Sequence, residues 1–210
     1  MPAREITKLT LYGDCASGNC MKTRFIADAL GVDYDWVEIN VVGKETQTDE
    51  FLAINPAGQV PLARWPNGRI LPQSNAIMLY LAETTPGGER FIPSDPFARG
   101  QMMSWLFWEQ YSHETAIAVR RYHKHLLGKS DDDIDPGLLP KGRRALGVME
   151  LQLTYTDYMV GESLTLADVA LVAYTRWAHE GGFDLSEFPA VRRWVSRVET
   201  DLDIEHAQAA

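Results

Sequence analysis

Gln59-Val60-Pro61-Leu62-Ala63-Arg64-Trp65-Pro66-Asn67-Gly68-Arg69-Ile70-Leu71-Pro72-Gln73-Ser74-Asn75-Ala76-Ile77 is the stretch whose reading decides the fold. It describes an extended segment entering a proline, a short strand, a turn at Asn67-Gly68, a second short strand, and a helix opening on small polar side chains. Such a unit leaves polar groups available at two places. Val60, kept extended by the proline after it, offers its backbone N–H and C=O to a peptide-like ligand. Ser74 heads a helix whose first N–H groups and positive dipole end attract a carboxylate. Together these suit a small peptidic anion.

Upstream of this unit, residues 8–13 alternate and end in glycine, which predicts a strand. Ser17-Gly18-Asn19 precedes a helical apolar spacing from Met21 to Leu30 that Gly31 stops. Tyr34 to Val42 is a second strand candidate, and Thr48 to Ile54 a short helical piece closed by Asn55-Pro56. Residues 1–85 therefore read β-α-β-α-β-β-α. A helical crossover between the first two strands makes them parallel and the turn at Asn67-Gly68 adds an antiparallel pair, giving a mixed four-stranded sheet.

Turn and helix-breaking residues crowd the stretch from Thr84 to Pro96, and a linker is placed at residues 86–96. From residue 97 to 210 strand signals disappear, so an all-helical domain is expected there. One long helix is predicted through Met102 and Trp105 to Leu127, another from Gly142 to Met159, and a third from Val169 to Trp177. Thr165 stands three residues before Asp168, the spacing of a capping box, with Leu164 and Val169 as a hydrophobic staple. Pro189 marks another helix start.

Of the 210 residues 45% are hydrophobic and 23% charged, which permits one large or two small domains with substantial cores. The net charge of −9 argues against nucleic acid as a partner and leaves an anionic ligand to be held by local groups. No apolar run approaches membrane-spanning length, and Met1 to Lys8 carry no apolar targeting core, so no membrane association and a cytoplasmic location are expected. Cys15 and Cys20 are the two cysteines, expected as thiols in a reducing compartment. Their spacing is not that of a dithiol motif. His113-Glu114 lacks the second histidine of zinc proteases, and His123 and His125 would point to different helix faces, so no metal is expected.

Tyr12, Ser17-Gly18-Asn19-Cys20-Met21-Lys22, Asn55-Pro56-Ala57-Gly58-Gln59-Val60-Pro61, Gln73-Ser74-Asn75-Ala76-Ile77 and Leu164-Thr165-Leu166-Ala167-Asp168 occur in this order over nearly the whole chain. The pattern resembles the bacterial cytosolic glutathione S-transferases. The resemblance implies a thioredoxin-like N-terminal domain, an all-helical C-terminal domain, a cis bond between Val60 and Pro61, and a homodimer. It implies that Gln73 and Ser74 hold the γ-glutamyl end of glutathione and that the Val60 backbone pairs with its cysteinyl part. Many relatives have glutamate at the position of Gln73, so an amide dipole replaces a full charge there.

The resemblance further implies conjugation of glutathione to a hydrophobic electrophile, as a detoxification enzyme would perform it. A free thiol has a pKa near ~8.5, and donors aimed at the sulfur lower it into the neutral range. Ser17 is expected to supply one such donor and Asn19 a second. The competing reading makes both residues the N-terminal cap of the first helix. Tyr12 matches the tyrosine that other classes use as activator, and here it is assigned to packing or to the substrate pocket. Cys15 is read as a bystander. Trp108 and Tyr111, with Thr115, are expected to share one helix face towards the electrophile, in a pocket lined also by the first loop. Arg120 and Arg121 either solvate the helix or meet an acidic substrate. Two other functions stay open on the same fold: glutathione-dependent reduction of disulfides or peroxides, and a non-catalytic ligand-binding or interaction role.

Overall fold

Strand β1 (Leu9–Gly13) is one of the two inner strands on which the N-terminal unit is built. The computed structural model describes residues 7–205. β1 pairs in parallel with β2 (Tyr34–Glu38), with Leu9 opposite Tyr34 and Gly13 opposite Glu38. On its other side it pairs antiparallel with β3 (Leu62–Arg64), which pairs antiparallel with β4 (Ile70–Pro72). The order is β2-β1-β3-β4, the mixed four-stranded sheet of a thioredoxin-like domain.

Each connection has a local cause. Helix α1 (Gly18–Ala29) carries the chain from β1 to β2, which requires a crossover and makes that pair parallel. Between β3 and β4, Gly68 adopts φ +82, the Asn67 side chain accepts from the Arg69 N–H, and the Trp65 N–H closes the turn on the Arg69 carbonyl. β2 ends at Glu38, four residues short of the predicted Val42. Beyond it the Val41 N–H turns to the Asp14 carboxylate and the Asn40 side chain accepts from the Gly43 N–H, so the chain curls into a turn. The short α2 (Asp49–Leu52) is capped by Thr48. Helix α3 (Ser74–Thr84) packs against α1, and Leu11, Ile26, Leu62, Ile77 and Met78 form a fully buried core.

The chain divides into units 1–88 and 89–210. Within the stretch read as a linker, Gly88–Phe91 forms a 3-10 turn with Phe91 buried, and Asp95 caps α4 (Pro96–Trp108) through the Ala98 N–H. The long helix predicted to Leu127 is interrupted. α4 passes into a π-helical segment, Glu109–His113, then α5 (Glu114–Arg121), then a second π-helical segment, Tyr122–Leu126. A π turn inserts a residue into the 3.6-residue repeat and rotates the downstream side chains about the helix axis, which the apolar spacing alone does not reveal. Helix α6 runs Leu138–Tyr155, earlier than predicted.

Helix α7 (Leu166–Thr175) is buried at every residue. Its start is the capping box read from the sequence: the Ala167 N–H donates to the Thr165 hydroxyl and the Thr165 N–H to the Asp168 carboxylate. The Asp168 carboxylate also accepts from the Met159 N–H and from Trp194 of α8 (Pro189–Asp201). One side chain thus ties α7, α8 and the preceding loop. Arg120 and Arg121 correct the sequence reading, since neither is a solvated side chain. Both are buried: Arg120 donates to the Gly181 carbonyl at 2.8 Å and pairs with Asp131, while Arg121 pairs with Glu180 and lies over the Trp177 ring. Among the described residues no helix is long and apolar enough to cross a membrane.

Candidate functional site

Strand register brings three chain segments of the N-terminal unit to one edge of the sheet. Tyr12 stands opposite Leu62, and Leu62 opposite Pro72, so the three residues form a row across β1, β3 and β4. At neighbouring strands about 4.8 Å apart, that row places the exit of β1, the entrance of β3 and the exit of β4 side by side. The loop to Ser17, the Val60-Pro61 corner and the Gln73-Ser74 helix start therefore all leave from this edge. The Val60–Pro61 peptide is cis. β3 begins at Leu62, so the Val60 N–H and C=O lie outside the ladder.

The corner is held from behind by two side-chain amides. The Asn55 side chain, itself buried, donates to the Gln59 carbonyl at 2.7 Å, and the Gln47 side chain donates to the Gly58 carbonyl at 3.1 Å. Gly58 adopts φ +60, and a Cβ there would meet the Gln47 amide at 2.6 Å, so a side chain at this position is strained and displaces Gln47. On the opposite loop, Asp14 accepts from the Ala16 and Val41 N–H groups.

The two helix starts are joined directly. The Ser74 hydroxyl, 4% exposed, donates to Asn19 Oδ1 at 3.1 Å. Lys22, fully buried, donates to the same oxygen from Nζ at 2.7 Å. Gln73 precedes α3 with φ +76, a conformation costing a non-glycine residue about 1–3 kcal/mol and found preferentially at ligand sites. Its side chain is exposed and makes no cap bond. Ser17 occupies the N-cap position of α1 in extended conformation, yet its hydroxyl makes no cap bond. Its hydroxyl engages the Cys20 thiol, which burial pushes up to about 12 in spite of that bond.

Cys15 is exposed and paired with a carboxylate. Its Sγ lies 3.1 Å from Glu38 Oε2, and Glu38 also accepts from the Trp36 indole at 2.6 Å. Burial and Glu38 raise the Cys15 thiol above its ordinary value, against the opposing Arg24 guanidinium. This is the reverse of what an attacking thiolate needs. Neither cysteine is in a disulfide.

Tyr12 is half-buried in the row described above. In the helical unit, Trp108 packs edge-on against Trp105, with ring centroids 5.1 Å apart, whereas Tyr111 is 85% exposed on the first π-helical segment. Thr115 donates its hydroxyl to the Tyr111 carbonyl. Trp108 and Tyr111 thus have different surroundings, although α-helical spacing would put them on one face. Among the described residues no group of three or more His, Cys, Asp or Glu side chains is gathered to hold a metal ion. Sequence reasoning assigned no role to Lys22, Gln47 or Asp14. For Lys22 the signal was a lysine three residues after Asn19 on one helix, but its inward direction is not readable from spacing.

Comparison with known proteins shows the family. The glutathione S-transferase N-terminal domain model matches residues 11–89 and the C-terminal domain model residues 112–201. A glutathione S-transferase-like protein from a Fusarium species is 32% identical over 198 residues, covering 91% of this chain and 89% of its own. The crystal structure of a glutathione S-transferase from Pseudomonas fluorescens is similar at 42% identity and TM-score 0.87, over 92% of this chain and 96% of that one. A possible glutathione S-transferase from Rhodopseudomonas palustris is similar at 37% identity and TM-score 0.88, over 97% and 100%. With an edge-of-sheet site built from α1, the Val60–Pro61 corner and α3, and both domain models matched in order, this chain belongs to the glutathione S-transferase family.

Proposed function

We propose that the N-terminal unit binds glutathione, keeps its thiol as thiolate, and that the protein transfers it to a hydrophobic electrophile. The observation that carries this reading is the Ser74–Asn19 hydrogen bond, because it joins a helix N-terminus suited to a carboxylate to a second one suited to a sulfur anion. In this reading Ser74 and the first N–H groups of α3 take the γ-glutamyl carboxylate, and the Gln73 amide meets the ammonium. The Val60 N–H and C=O pair with the cysteinyl residue as an added strand would, fixed by the turn at Pro61.

The sulfur then lies towards the N-terminus of α1. The Ser17 hydroxyl, which makes no cap bond, turns from Cys20 to donate to it, and the Asn19 amide nitrogen donates second. Each unit of thiol pKa corresponds to about 1.4 kcal/mol, so two such bonds with the helix dipole bring a thiol from ~8.5 into the neutral range. No covalent serine intermediate is involved: the thiolate attacks, and the electrophile's leaving group or a proton balances the charge. Tyr12 serves packing beside the site, and Trp108 and Tyr111 offer aromatic surface of the helical unit to a hydrophobic electrophile. We read the chain as a bacterial cytosolic member of the family, a cytoplasmic homodimer in detoxification; similarity to the family members from Pseudomonas and Rhodopseudomonas supports the bacterial part of that reading.

The test is retention on immobilised glutathione under reducing conditions, followed by turnover with an aromatic halide and, in parallel, with a glutathione-capped disulfide. Retention with faster turnover of the halide is expected. Failure to bind would remove both enzyme readings, and preference for the disulfide would replace conjugation by reduction.

A further inference from the structure

Lys22 is a lysine with no exposed surface, a state in which lysine is rarely found unless its donors are used. It stands three residues after Asn19 on α1, so the two side chains are neighbours on the helix surface. Its Nζ lies 2.7 Å from Asn19 Oδ1. A lysine amine at this distance can be satisfied by the amide oxygen and not by the amide NH2, because an ammonium has donors and no acceptor. The contact therefore decides which end of the Asn19 carboxamide faces inward. The Ser74 hydroxyl reaches the same oxygen, but a hydroxyl donates or accepts and would tolerate either orientation.

We infer that Lys22 is a positioning residue, which holds the Asn19 carboxamide with its NH2 directed away from α3 so that a donor, not an acceptor, meets the thiolate. The inference rests on the glutathione reading above and adds to it the cause of the site's polarity. When a bound carboxylate recruits the Ser74 hydroxyl, Lys22 retains the amide orientation without it. Loss of Lys22 does more than loosen Asn19. A half-turn of the amide would present Oδ1 to the sulfur and exchange attraction for repulsion. A donor already in place before the anion forms is also the arrangement that stabilises charge with least reorganisation.

The experiment measures the pKa of enzyme-bound glutathione by the ultraviolet absorbance of its thiolate, with kcat/KM against pH, in four proteins: wild type, Lys22→Met, Asn19→Ala and the double variant. In Lys22→Met the bound thiol pKa is expected to rise by about one unit, so that kcat/KM falls about tenfold near pH 6.5 and recovers above the new pKa. In the Asn19→Ala background the same change should add less than about twofold, since the effect passes through Asn19. An unchanged pKa in Lys22→Met, or an equal loss in both backgrounds, would overturn the inference. Should Lys22→Met not fold, Lys22→Leu, which likewise removes the donor, replaces it in the same cycle, with the same pKa rise expected and the same two outcomes decisive against it. Wild type that forms no bound thiolate would remove the glutathione reading itself, a result distinct from a thiolate that ignores Lys22.

Discussion

Replacing Ser17 by alanine separates chemistry from folding, because the structure assigns its hydroxyl no part in capping α1. A hydrogen bond to a charged acceptor is worth about 1.5–3 kcal/mol, or about 1–2 units in the pKa of the bound thiol. Removal raises that pKa, so thiolate is lost at pH values below it and retained above. Near pH 6.5 the rate should fall about 10- to 100-fold, whereas near pH 9 thiolate predominates in both proteins and the rates should converge to within a few-fold. The folded protein loses the contact with Cys20, a weak sulfur acceptor, at under about 1 kcal/mol. For a chain of this size that corresponds to a Tm change below about 4 °C. Glutathione affinity should stay similar, since the γ-glutamyl and cysteinyl contacts lie elsewhere. Stopped-flow turnover across pH with a parallel thermal melt checks all three. Full activity of Ser17→Ala near pH 6.5, together with its loss in Tyr12→Phe, would refute the assignment and move the activating role to Tyr12.

Other expectations concern the scaffold and the cysteines. Asp168→Ala strands the Met159 and Trp194 N–H donors in the interior and removes half the capping box, so a loss of about 3–5 kcal/mol is expected against about 1–2 for Thr165→Ala. Denaturant titration of the two variants reads the ranking, and equal losses would contradict the three-way tie. Cys15, whose thiol burial and Glu38 raise, should alkylate slowly at neutral pH and several-fold faster in Glu38→Gln, where the negative charge is gone. Cys20, buried and pushed up to about 12, should stay unmodified in the native protein, and peptide mapping that found it labelled first would overturn both statements. Gly58→Ala forces a side chain into a left-handed conformation and against Gln47, shifting the Val60 corner. A penalty of about 1 kcal/mol passed to binding would weaken retention on glutathione about fivefold, measured by calorimetry, and unchanged affinity would show that this corner does not touch the ligand.

Much of the N-terminal unit was legible because its signals are local. Asn67-Gly68 set a hairpin by turn chemistry, and the crossover from β1 through α1 required a parallel pair. The helix beginning at Ser74 and the capping box at Thr165 and Asp168 were readable for the same reason, as each rests on residues within four positions of one another. Spacing failed where a regular repeat was assumed. The π-helical segments at Glu109–His113 and Tyr122–Leu126 interrupt the single helix that apolar spacing predicted as far as Leu127. Charge misled at Arg120 and Arg121, whose partners Gly181, Glu180 and Asp131 lie up to some sixty positions away and took both side chains inside.

The candidate site shows the same division. Its residue types were visible as motifs, since a helix start needs small polar residues and an extended corner needs proline wherever the chain later carries them. Their convergence was not, because it depends on strand register, which aligns Tyr12, Leu62 and Pro72 across three strands, and on side-chain direction, which turned Ser74 and Lys22 onto one oxygen of Asn19. Sequence alone determined which groups this protein can present. Tertiary structure decided which of them meet, because hydrogen bonds between residues fifty-five positions apart exist only once the sheet has brought their elements together.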